Sequence, residues 1–243
     1  MTVSVAMIVR DEERSLARCL DSFAREVDEL VVVDTGSRDR TREIARRYTD
    51  RVFDFRWCDD FSAARQFAFD RATSDWVAWV DADDVVSNAA AIRPMTAAAP
   101  REVGGFQWRY VSDRDEWGNA LCEFWRERCV RNDGTFRWEG RIHEVLVSSE
   151  PRQLPRSEEV TIEHRRDPSR GPQKLRRNLR ILERERREAG AQAGPRLFFY
   201  LANEYASAGR YEKALACYRK YLRVATWDDE RYVAEVRVAN LNR

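Results

Sequence analysis

The stretch Trp76-Val77-Ala78-Trp79-Val80-Asp81-Ala82-Asp83-Asp84 joins an apolar run to three carboxylates within four residues. An apolar run of this length with no helical period predicts a buried strand. Because turns that follow strands favour aspartate, residues 81–84 can be interpreted as a solvated turn. Three crowded carboxylates repel one another, however, and a divalent cation is the other way to compensate their charge. We call residues 81–84 the acidic segment.

Strands and helices alternate upstream of this stretch. Apolar runs predict the strands, and apolar residues at helical spacing predict a helix after each of the first three. Ser37 or Asp39 is expected to cap the second helix and Ser62 the third. The predicted strands are Val3–Val9 and residues 30–33, 52–53 and 76–80. This alternation indicates a parallel sheet with right-handed crossovers, in which ligands bind beyond the carboxyl ends of the strands.

The pattern changes after about residue 105. Residues 106–111 and 124–130 alternate between apolar and polar side chains, and Asn132-Asp133-Gly134 is typical of a turn. Further short strands are predicted at residues 135–138, 145–147 and 160–162, with a loop at residues 148–158. The predicted fold class is therefore α/β, with a mixed, mainly parallel sheet flanked by helices.

The last part of the chain has a helical pattern. After Gly194-Pro195, a helix pair that turns at Gly209 resembles one tetratricopeptide repeat, at about residues 195–228. The large, small and aromatic positions of the repeat are occupied by Leu201, Ala202, Tyr205, Tyr211, Ala214 and Tyr218. Since an isolated repeat cannot bury its faces alone, we expect this tail to pack on the rest of the chain or to self-associate.

The composition narrows the classes of partner and compartment. The 43 Lys and Arg residues nearly cancel the 42 Asp and Glu residues, so the net charge of +1 gives no reason to expect nucleic acid or an anionic membrane as partner. The five cysteines form no C-x-x-C pair, which favours a reducing compartment over a disulfide framework or a zinc knuckle. No stretch approaches the roughly 18 apolar residues that span a bilayer. We expect a cytoplasmic protein without a transmembrane segment.

A second acidic strand end lies upstream of the acidic segment. Residues 31–33 form a β-branched run that ends at Asp34 and continues through Thr35-Gly36-Ser37 into a helix start. An aspartate in this place can accept hydrogen bonds from a base or a ribose, and helix starts favour nearby negative groups. An ordinary capped loop is the alternative interpretation.

Together these stretches resemble the family 2 glycosyltransferases of GT-A fold. The resemblance begins at Val5-Ala6-Met7-Ile8-Val9-Arg10-Asp11-Glu12-Glu13, includes Asp60-Phe61-Ser62-Ala63-Ala64-Arg65 and the D-x-D of the acidic segment, and covers about the first two thirds of the chain. The chain departs from the family pattern at Gln66, where an asparagine is common. The implied organisation is a GT-A domain at residues 1–168 and a helical extension at residues 169–243.

The resemblance implies a role for each matching residue. Asp34 is expected to contact the nucleotide base, Arg65 the base or the diphosphate, and Asp81 the ribose. Asp83 is expected to bind the Mn²⁺ or Mg²⁺ that bridges the diphosphate of a nucleotide-sugar donor, most readily a UDP-sugar. Family members generally transfer the sugar with inversion in a single displacement, so the same is expected here.

Both histidines lie in the second half of the chain, and a lone histidine is often only a structural hydrogen-bonding residue. The family often completes its metal site near the C-terminal end of the domain, where His164 fits, and an imidazole ligand favours Mn²⁺ over Mg²⁺. The stretch Trp138-Glu139-Gly140-Arg141-Ile142-His143-Glu144 looks like the family's acceptor-side motif. There Glu144 is the candidate general base, with Glu139 and His143 as rivals.

A basic run at residues 165–187 suggests an anionic partner, although i,i+4 pairs with glutamates make a solvated helix face the better interpretation of its far half. Lys174 and Arg177 are predicted to bind phosphate of the donor. The acceptor is expected to be a peptide or protein, a glycan or lipid precursor, or a modified nucleic-acid base.

Two other classes of function compete with an enzyme of this family. One is an inert GT-A and repeat module that only binds a partner, which the complete set of Asp34, Asp81 and Asp83 disfavours. The other is a nucleotidyltransferase. It is disfavoured because such enzymes usually have a glycine-rich loop after the first strand, where this chain has Arg10-Asp11-Glu12-Glu13.

Overall fold

The structure of the chain is a computed structural model that describes residues 1–165 and 171–241. The chain divides into two compact units, Met1–Arg166 and Asp167–Arg243. Within the described residues, none of the helices has both the length and the apolar character that crossing a membrane requires.

The first unit is an α/β structure. Its strands are β1 (Val3–Val9), β2 (Glu29–Asp34), β3 (Val52–Asp54), β4 (Trp76–Trp79), β5 (Asp84–Ser87), β6 (Gly105–Arg114), β7 (Ala120–Arg131), β8 (Phe136–Glu139), β9 (Val145–Ser148) and β10 (Arg156–His164). Its helices are α1 (Leu16–Asp21), α2 (Thr41–Ala45), α3 (Phe61–Phe69) and α4 (Ile92–Ala98).

The main sheet of the described residues has the strand order β3-β2-β1-β4-β7-β6-β10-β5. The first four of these strands are parallel, β7 is antiparallel to both β4 and β6, and β10 is parallel to β6. It follows that β10 runs in the same direction as β1, β2 and β4, so all four strands end at one edge of the sheet. The mixed, mainly parallel sheet predicted from the sequence is confirmed.

The core lies on both faces of this sheet. In β1, Val3, Val5 and Met7 pack on one face together with residues of α1 and α4, whereas Ala6 packs on the other face with residues of α3 and β8. A strand that is buried on both faces needs apolar side chains at nearly every position. The uninterrupted apolar runs of β1, β2 and β4 satisfy that requirement.

Several elements differ from the sequence-based expectation. The prediction that Ser62 caps α3 is wrong: the helix begins at Phe61 and is capped by Asp60, whose side chain accepts a hydrogen bond from the Ala63 backbone N–H at 2.9 Å. β10 begins at Arg156, inside the segment expected to be a loop. β5 and α4 have no counterpart in the prediction. β5 is a four-residue edge strand that pairs with β10, far away in sequence, so no local periodicity reveals it.

The second unit is helical over its described residues, with α5 (Gly171–Ala189), α6 (Pro195–Ser207), α7 (Tyr211–Leu222) and α8 (Asp228–Leu241). Gly209 turns the chain between α6 and α7 with a φ of 70°, a conformation that glycine adopts without strain. Most of the repeat-like positions are buried, namely Leu201, Ala202, Tyr205, Ala214 and Tyr218, whereas Tyr211 is exposed.

Candidate active site

Functional side chains predicted from distant parts of the sequence converge at the edge of the sheet where β2, β4 and β10 end. Asp34 is the last residue of β2, the acidic segment begins two residues after β4, and His164 is the last residue of β10. β5 runs antiparallel to β10 and opens with Asp84 directly opposite His164. Strand direction and the pairing of β5 with β10 therefore bring Asp34, the acidic segment and His164 to one edge.

The acidic segment and His164 form a compact cluster. Asp84 Oδ1 lies 3.0 Å and Asp83 Oδ1 lies 3.6 Å from His164 Nδ1. One ligand atom from each of Asp83, Asp84 and His164 falls within 4.8 Å of the other two. The Asp84 side chain is completely buried, whereas that of Asp83 is 14% exposed and so faces the open side of the cluster.

Buried negative charge dominates this cluster. Burial raises the pKa of Asp84 above its ordinary value, and the opposing effects of His164 and Arg128 only partly offset that rise. Burial of His164 works against its protonated form, but its hydrogen bond to Asp84 and the charge of Asp83 outweigh burial and raise the pKa of His164. Both shifts mean that the site favours additional positive charge.

The residues of the cluster fit a divalent cation. Two carboxylates and one imidazole supply hard oxygen ligands and one nitrogen, a set that suits Mn²⁺ and is compatible with Mg²⁺. Asp84, which the sequence analysis left without a role, belongs to this set. Asp83 and Asp84 would hold the ion with His164, and when bound it would supply Lewis-acid stabilisation of negative charge on phosphate oxygens.

Arg128 lies on the buried side of the cluster, next to Asp84. A bulge in β7, where Phe106 pairs with Cys129 but Gln107 with Glu127, leaves Arg128 as an extra residue. Its Nη1 lies 3.5 Å from Asp84 Oδ2, and its guanidinium stacks 3.6 Å from the centre of the Trp79 ring. Arg128 therefore both compensates Asp84 and fills space beside an aromatic ring.

We expect Arg128→Ala to lower the free energy of unfolding by about 3–5 kcal/mol, because it leaves the Asp84 carboxylate buried without its cation. Arg109→Ala is the matched control. Arg109 is exposed and paired with Glu123, so its loss should cost about 1 kcal/mol or less. Urea unfolding monitored by tryptophan fluorescence measures the free energy of unfolding of both variants. Equal, small losses in the two variants would contradict the importance of the buried pair.

Arg65 joins the acidic segment to the predicted acceptor-side motif. Its Nη2 donates to Asp81 Oδ1 at 2.7 Å, and its Nε donates to Glu144 Oε1 at 2.6 Å. The guanidinium lies 4.5 Å from the Trp79 ring centre and 5.1 Å from that of Trp138. Although partial burial opposes the charged form of Asp81, the positive charge of Arg65 and its neighbours holds the pKa of this carboxyl well below its usual range. Arg65 thus keeps the Asp81 carboxylate ionised and holds both carboxylates in place by hydrogen bonds.

The loop at residues 139–144 is held against α3 by specific hydrogen bonds. The Phe61 backbone N–H donates to the Arg141 carbonyl at 2.8 Å, and Gln66 Oε1 accepts from the Trp138 backbone N–H at 3.0 Å. Gln66, at a position where the family commonly has asparagine, therefore links α3 to β8 by a hydrogen bond. The loop turns through left-handed backbone at Gly140 and His143, with φ of 93° and 56°.

This loop separates the three candidates for the general base. Glu144 is buried beside Arg65, and among the described residues its Oε2 has no hydrogen-bond partner. Glu139 is exposed and ion-paired with Arg137, and His143 is exposed. The structure thus brings Glu144 to the Arg65–Asp81 pair, and neither rival has a comparable place.

The loop that follows β2 holds a buried carboxylate with one unused oxygen. Asp34 Oδ1 accepts hydrogen bonds from the backbone N–H groups of Gly36 at 2.7 Å and Ser37 at 2.9 Å. Its Oδ2 is buried and has no hydrogen-bond partner among the described residues. Buried polar atoms are nearly always paired, so this oxygen calls for a ligand or water that donates to it.

The remaining predicted phosphate-binding residues, Lys174 and Arg177, lie on α5 in the second unit, and Arg177 donates to Asn178 Oδ1. Their role stays a prediction. Sequence reasoning also missed Arg126 and Arg128, although arginines two residues apart in a predicted strand are a usable signal. In a regular strand, alternation would place both on one face, where a strand rarely carries charge without a partner or a ligand.

Comparison with known proteins identifies the family to which this chain is similar. Residues 4–146 match the family model described as Glycosyl transferase family 2. The chain is 54% identical over 82 residues to a TPR repeat-containing protein of Synechococcus elongatus, a match that covers 34% of this chain and 20% of that protein. It is 30% identical over 158 residues to the lipopolysaccharide core biosynthesis glycosyltransferase LpsC of Rhizobium meliloti, covering 60% of this chain and 57% of LpsC. The chain thus spans between a fifth and three fifths of these relatives' lengths.

A solved structure shares the fold. The structure of S. aureus TarS 1-349 in complex with UDP matches with a TM-score of 0.51 and 13% identity, and the match covers 99% of this chain and 89% of that one. At this level of identity the likeness concerns the fold alone.

Proposed function

The chain belongs to glycosyl transferase family 2, and from that premise we propose that it is a metal-dependent glycosyltransferase that moves a sugar from a nucleoside diphosphate to an acceptor, with inversion. The observation that carries the proposal is the convergence of Asp83, Asp84 and His164 at the carboxyl edge of the sheet. At the same edge lies Asp34, whose buried Oδ2 has no donor within the part of the chain that the structure describes, and Glu144 is held in place by Arg65.

The nucleoside would bind at the ends of β1 and β2. A uracil ring carries an N–H between two carbonyl groups, and the unpaired Oδ2 of Asp34 is the acceptor that this N–H needs. Asp81 has one oxygen engaged by Arg65 and a side chain that is 30% exposed, so its second oxygen can accept from a ribose hydroxyl. This favours a UDP-sugar as the donor.

The diphosphate would lie over the cluster of Asp83, Asp84 and His164. Mn²⁺ or Mg²⁺ held there would neutralise charge on the departing nucleoside diphosphate. We assign Arg65 a positioning role, because two of its donor atoms are already used by Asp81 and Glu144. Lys174 and Arg177 remain proposed phosphate contacts.

The acceptor hydroxyl would be activated by Glu144. Its Oε1 is held by Arg65, and its Oε2 would take the hydroxyl proton as the acceptor oxygen bonds to the anomeric carbon. The bond from that carbon to the donor phosphate oxygen breaks in the same step. Attack from the face opposite the leaving group inverts the anomeric configuration.

One relative favours a glycan as the acceptor class, since LpsC is described as acting in lipopolysaccharide core biosynthesis. The helical tail supports a different role, in binding a peptide or another copy of the chain. Its α8 exposes Tyr232, Val233 and Val236, and one relative of the chain is named as a TPR repeat-containing protein. The tail would then select or recruit the acceptor without taking part in the chemistry.

The direct test is a panel of nucleotide sugars with Mn²⁺ and with Mg²⁺, monitored by thermal shift and by release of nucleoside diphosphate. We expect one or more UDP-sugars to stabilise the protein and to be hydrolysed slowly when no acceptor is added, in both cases only with metal. Failure of every donor to bind and to turn over with either metal would rule out the proposed function.

Asp34→Asn should change which base the site prefers. Asparagine keeps an oxygen for the Gly36 and Ser37 N–H groups but replaces Oδ2 with an NH₂ donor, which opposes the uracil N–H and matches the ring acceptor of cytosine. We expect UDP affinity to fall about 10- to 100-fold while CDP affinity holds or rises. Calorimetric titration measures both affinities. Asp54→Asn, at the exposed end of the neighbouring β3, is the control.

A further inference from the structure

The hairpin formed by β6 and β7 extends past the edge that carries the site. β4 ends at Trp79, and its Ala78 is paired with Cys129 of the antiparallel β7. The part of β7 before Arg128 therefore continues beyond the carboxyl end of β4. Arg126 and Phe124 lie on this extension and, being two residues apart in a strand, project from the same face.

Within residues 1–165 and 171–241, Arg126 has no hydrogen-bonded carboxylate. Its Nη2 donates to the Glu144 carbonyl at 2.8 Å, and its guanidinium lies 5.2 Å from the Trp79 ring centre. Among the described residues, its acidic contact is Glu127, at 3.9 Å. The adjacent Arg65 is hydrogen-bonded to Glu144 and Asp81, and Arg128 lies 3.5 Å from Asp84 Oδ2. Of these three arginines, Arg126 is the one that has no carboxylate at hydrogen-bonding distance in the described part of the chain.

The electrostatics agree with that geometry. Burial and the charges of Arg128 and Arg65 lower the pKa of Arg126 below its ordinary value. A bound anion would stabilise the charged form of Arg126, because it would replace the lost solvation and offset the positive charges of Arg128 and Arg65. The side chain is 31% exposed, so an anion can reach it from solvent.

Phe124 offers an aromatic surface next to this cation. It is 41% exposed and stands opposite Tyr110, with ring centres 5.1 Å apart. Tyr110 in turn lies 6.0 Å from the His164 ring and donates its hydroxyl to Asp84 Oδ1 at 3.2 Å. Phe124, Tyr110 and His164 thus form a continuous row of rings from the exposed aromatic face to the metal-binding cluster. The C–H face of a pyranose ring stacks well on such an electron-rich surface.

We propose that Arg126 and Phe124 form the acceptor subsite, and that it takes a sugar bearing a carboxylate or phosphate, with the ring on Phe124 and the anion on Arg126. The inference rests on the proposed function, since it places the acceptor beside Glu144. Arg126 binds the Glu144 carbonyl directly, so an anion held by Arg126 brings the sugar hydroxyls near the proposed base.

The test compares matched sugars on the full chain loaded with Mg²⁺ and UDP. Methyl glucoside, glucuronic acid and glucose 6-phosphate share a ring and differ in charge, and saturation-transfer NMR measures their affinities. We expect at least one acidic sugar to bind about tenfold or more tightly than methyl glucoside. The comparison between glucuronic acid and glucose 6-phosphate identifies the preferred anion.

Variants assign the effect to residues. Arg126→Gln should remove the preference for the acidic sugar, and Phe124→Ala should weaken all three sugars alike. Arg109→Gln, on the neighbouring strand but on the opposite face, is the matched control and should leave the preference intact.

Two results would overturn the inference while leaving the proposed function in place. One is equal affinity of the three sugars for wild-type protein that binds UDP normally. The other is an Arg126→Gln variant that still binds the acidic sugar more tightly than methyl glucoside but has lost UDP affinity without losing uridine affinity. Such a variant would show that Arg126 binds the donor's phosphate and not the acceptor's anion. If wild-type protein binds neither UDP nor any other nucleoside diphosphate, the proposed function is contradicted, and this inference is contradicted with it.

Discussion

Asp83→Asn is expected to abolish metal-dependent turnover of the donor while leaving the fold intact. The Asp83 side chain faces the open side of the cluster, and asparagine preserves its shape while removing the charge that a divalent cation requires. We expect Mn²⁺ affinity and donor hydrolysis each to fall about 100-fold or more. Electron paramagnetic resonance of free Mn²⁺ measures the first, and release of nucleoside diphosphate measures the second.

Two further variants make this prediction specific. Asp50→Asn removes an exposed carboxylate far from the cluster and should change neither quantity. Asp84→Asn should also lower metal affinity, but it should destabilise the protein as well, because the buried Arg128 loses its carboxylate. If Asp83→Asn retained Mn²⁺-dependent hydrolysis, Asp83 would not be a ligand and the metal site would have to be assigned elsewhere.

The parallel half of the fold was predictable because its signals are local. The apolar runs of β1, β2 and β4 reflect burial on both faces, and the helices between them follow a helical period. Asp34 and the acidic segment follow such strands directly. Their placement at one edge therefore needs only the rule that parallel strands end together.

The rest of the site depends on contacts between distant residues. Asp84 became a candidate ligand only because β5 pairs with β10, which places it opposite His164. Arg128 reaches Asp84 through a bulge in β7, whose position no periodicity indicates. Glu144 meets Arg65 because left-handed backbone at Gly140 and His143 bends its loop back toward α3. Each of these features depends on tertiary contacts. A single sequence therefore identifies the candidate residue types but does not show which of them lie close together.

Glu144→Gln is expected to remove transfer while preserving donor binding. The carboxamide oxygen can still accept from Arg65 Nε, so the link from Arg65 to Asp81 should survive, and with it the ribose-binding carboxylate. The group that Oε2 would supply as a base is lost, however, which typically lowers the rate about 10²- to 10⁴-fold. Donor hydrolysis reports this loss, since water attacking the anomeric carbon must also give up a proton.

The rival bases supply the controls, because they differ from Glu144 in position more than in chemistry. Glu139→Gln removes an exposed carboxylate already paired with Arg137 and should leave hydrolysis unchanged. His143→Asn should also leave hydrolysis unchanged, because asparagine tolerates the left-handed backbone at this position. Calorimetric titration with UDP should give the same affinity for Glu144→Gln as for wild type, which separates a lost base from a collapsed site. Undiminished hydrolysis by Glu144→Gln, together with loss in Glu139→Gln, would transfer the role to Glu139. It would also leave the Arg65–Glu144 pair with a purely architectural function, holding the acceptor-side loop against α3.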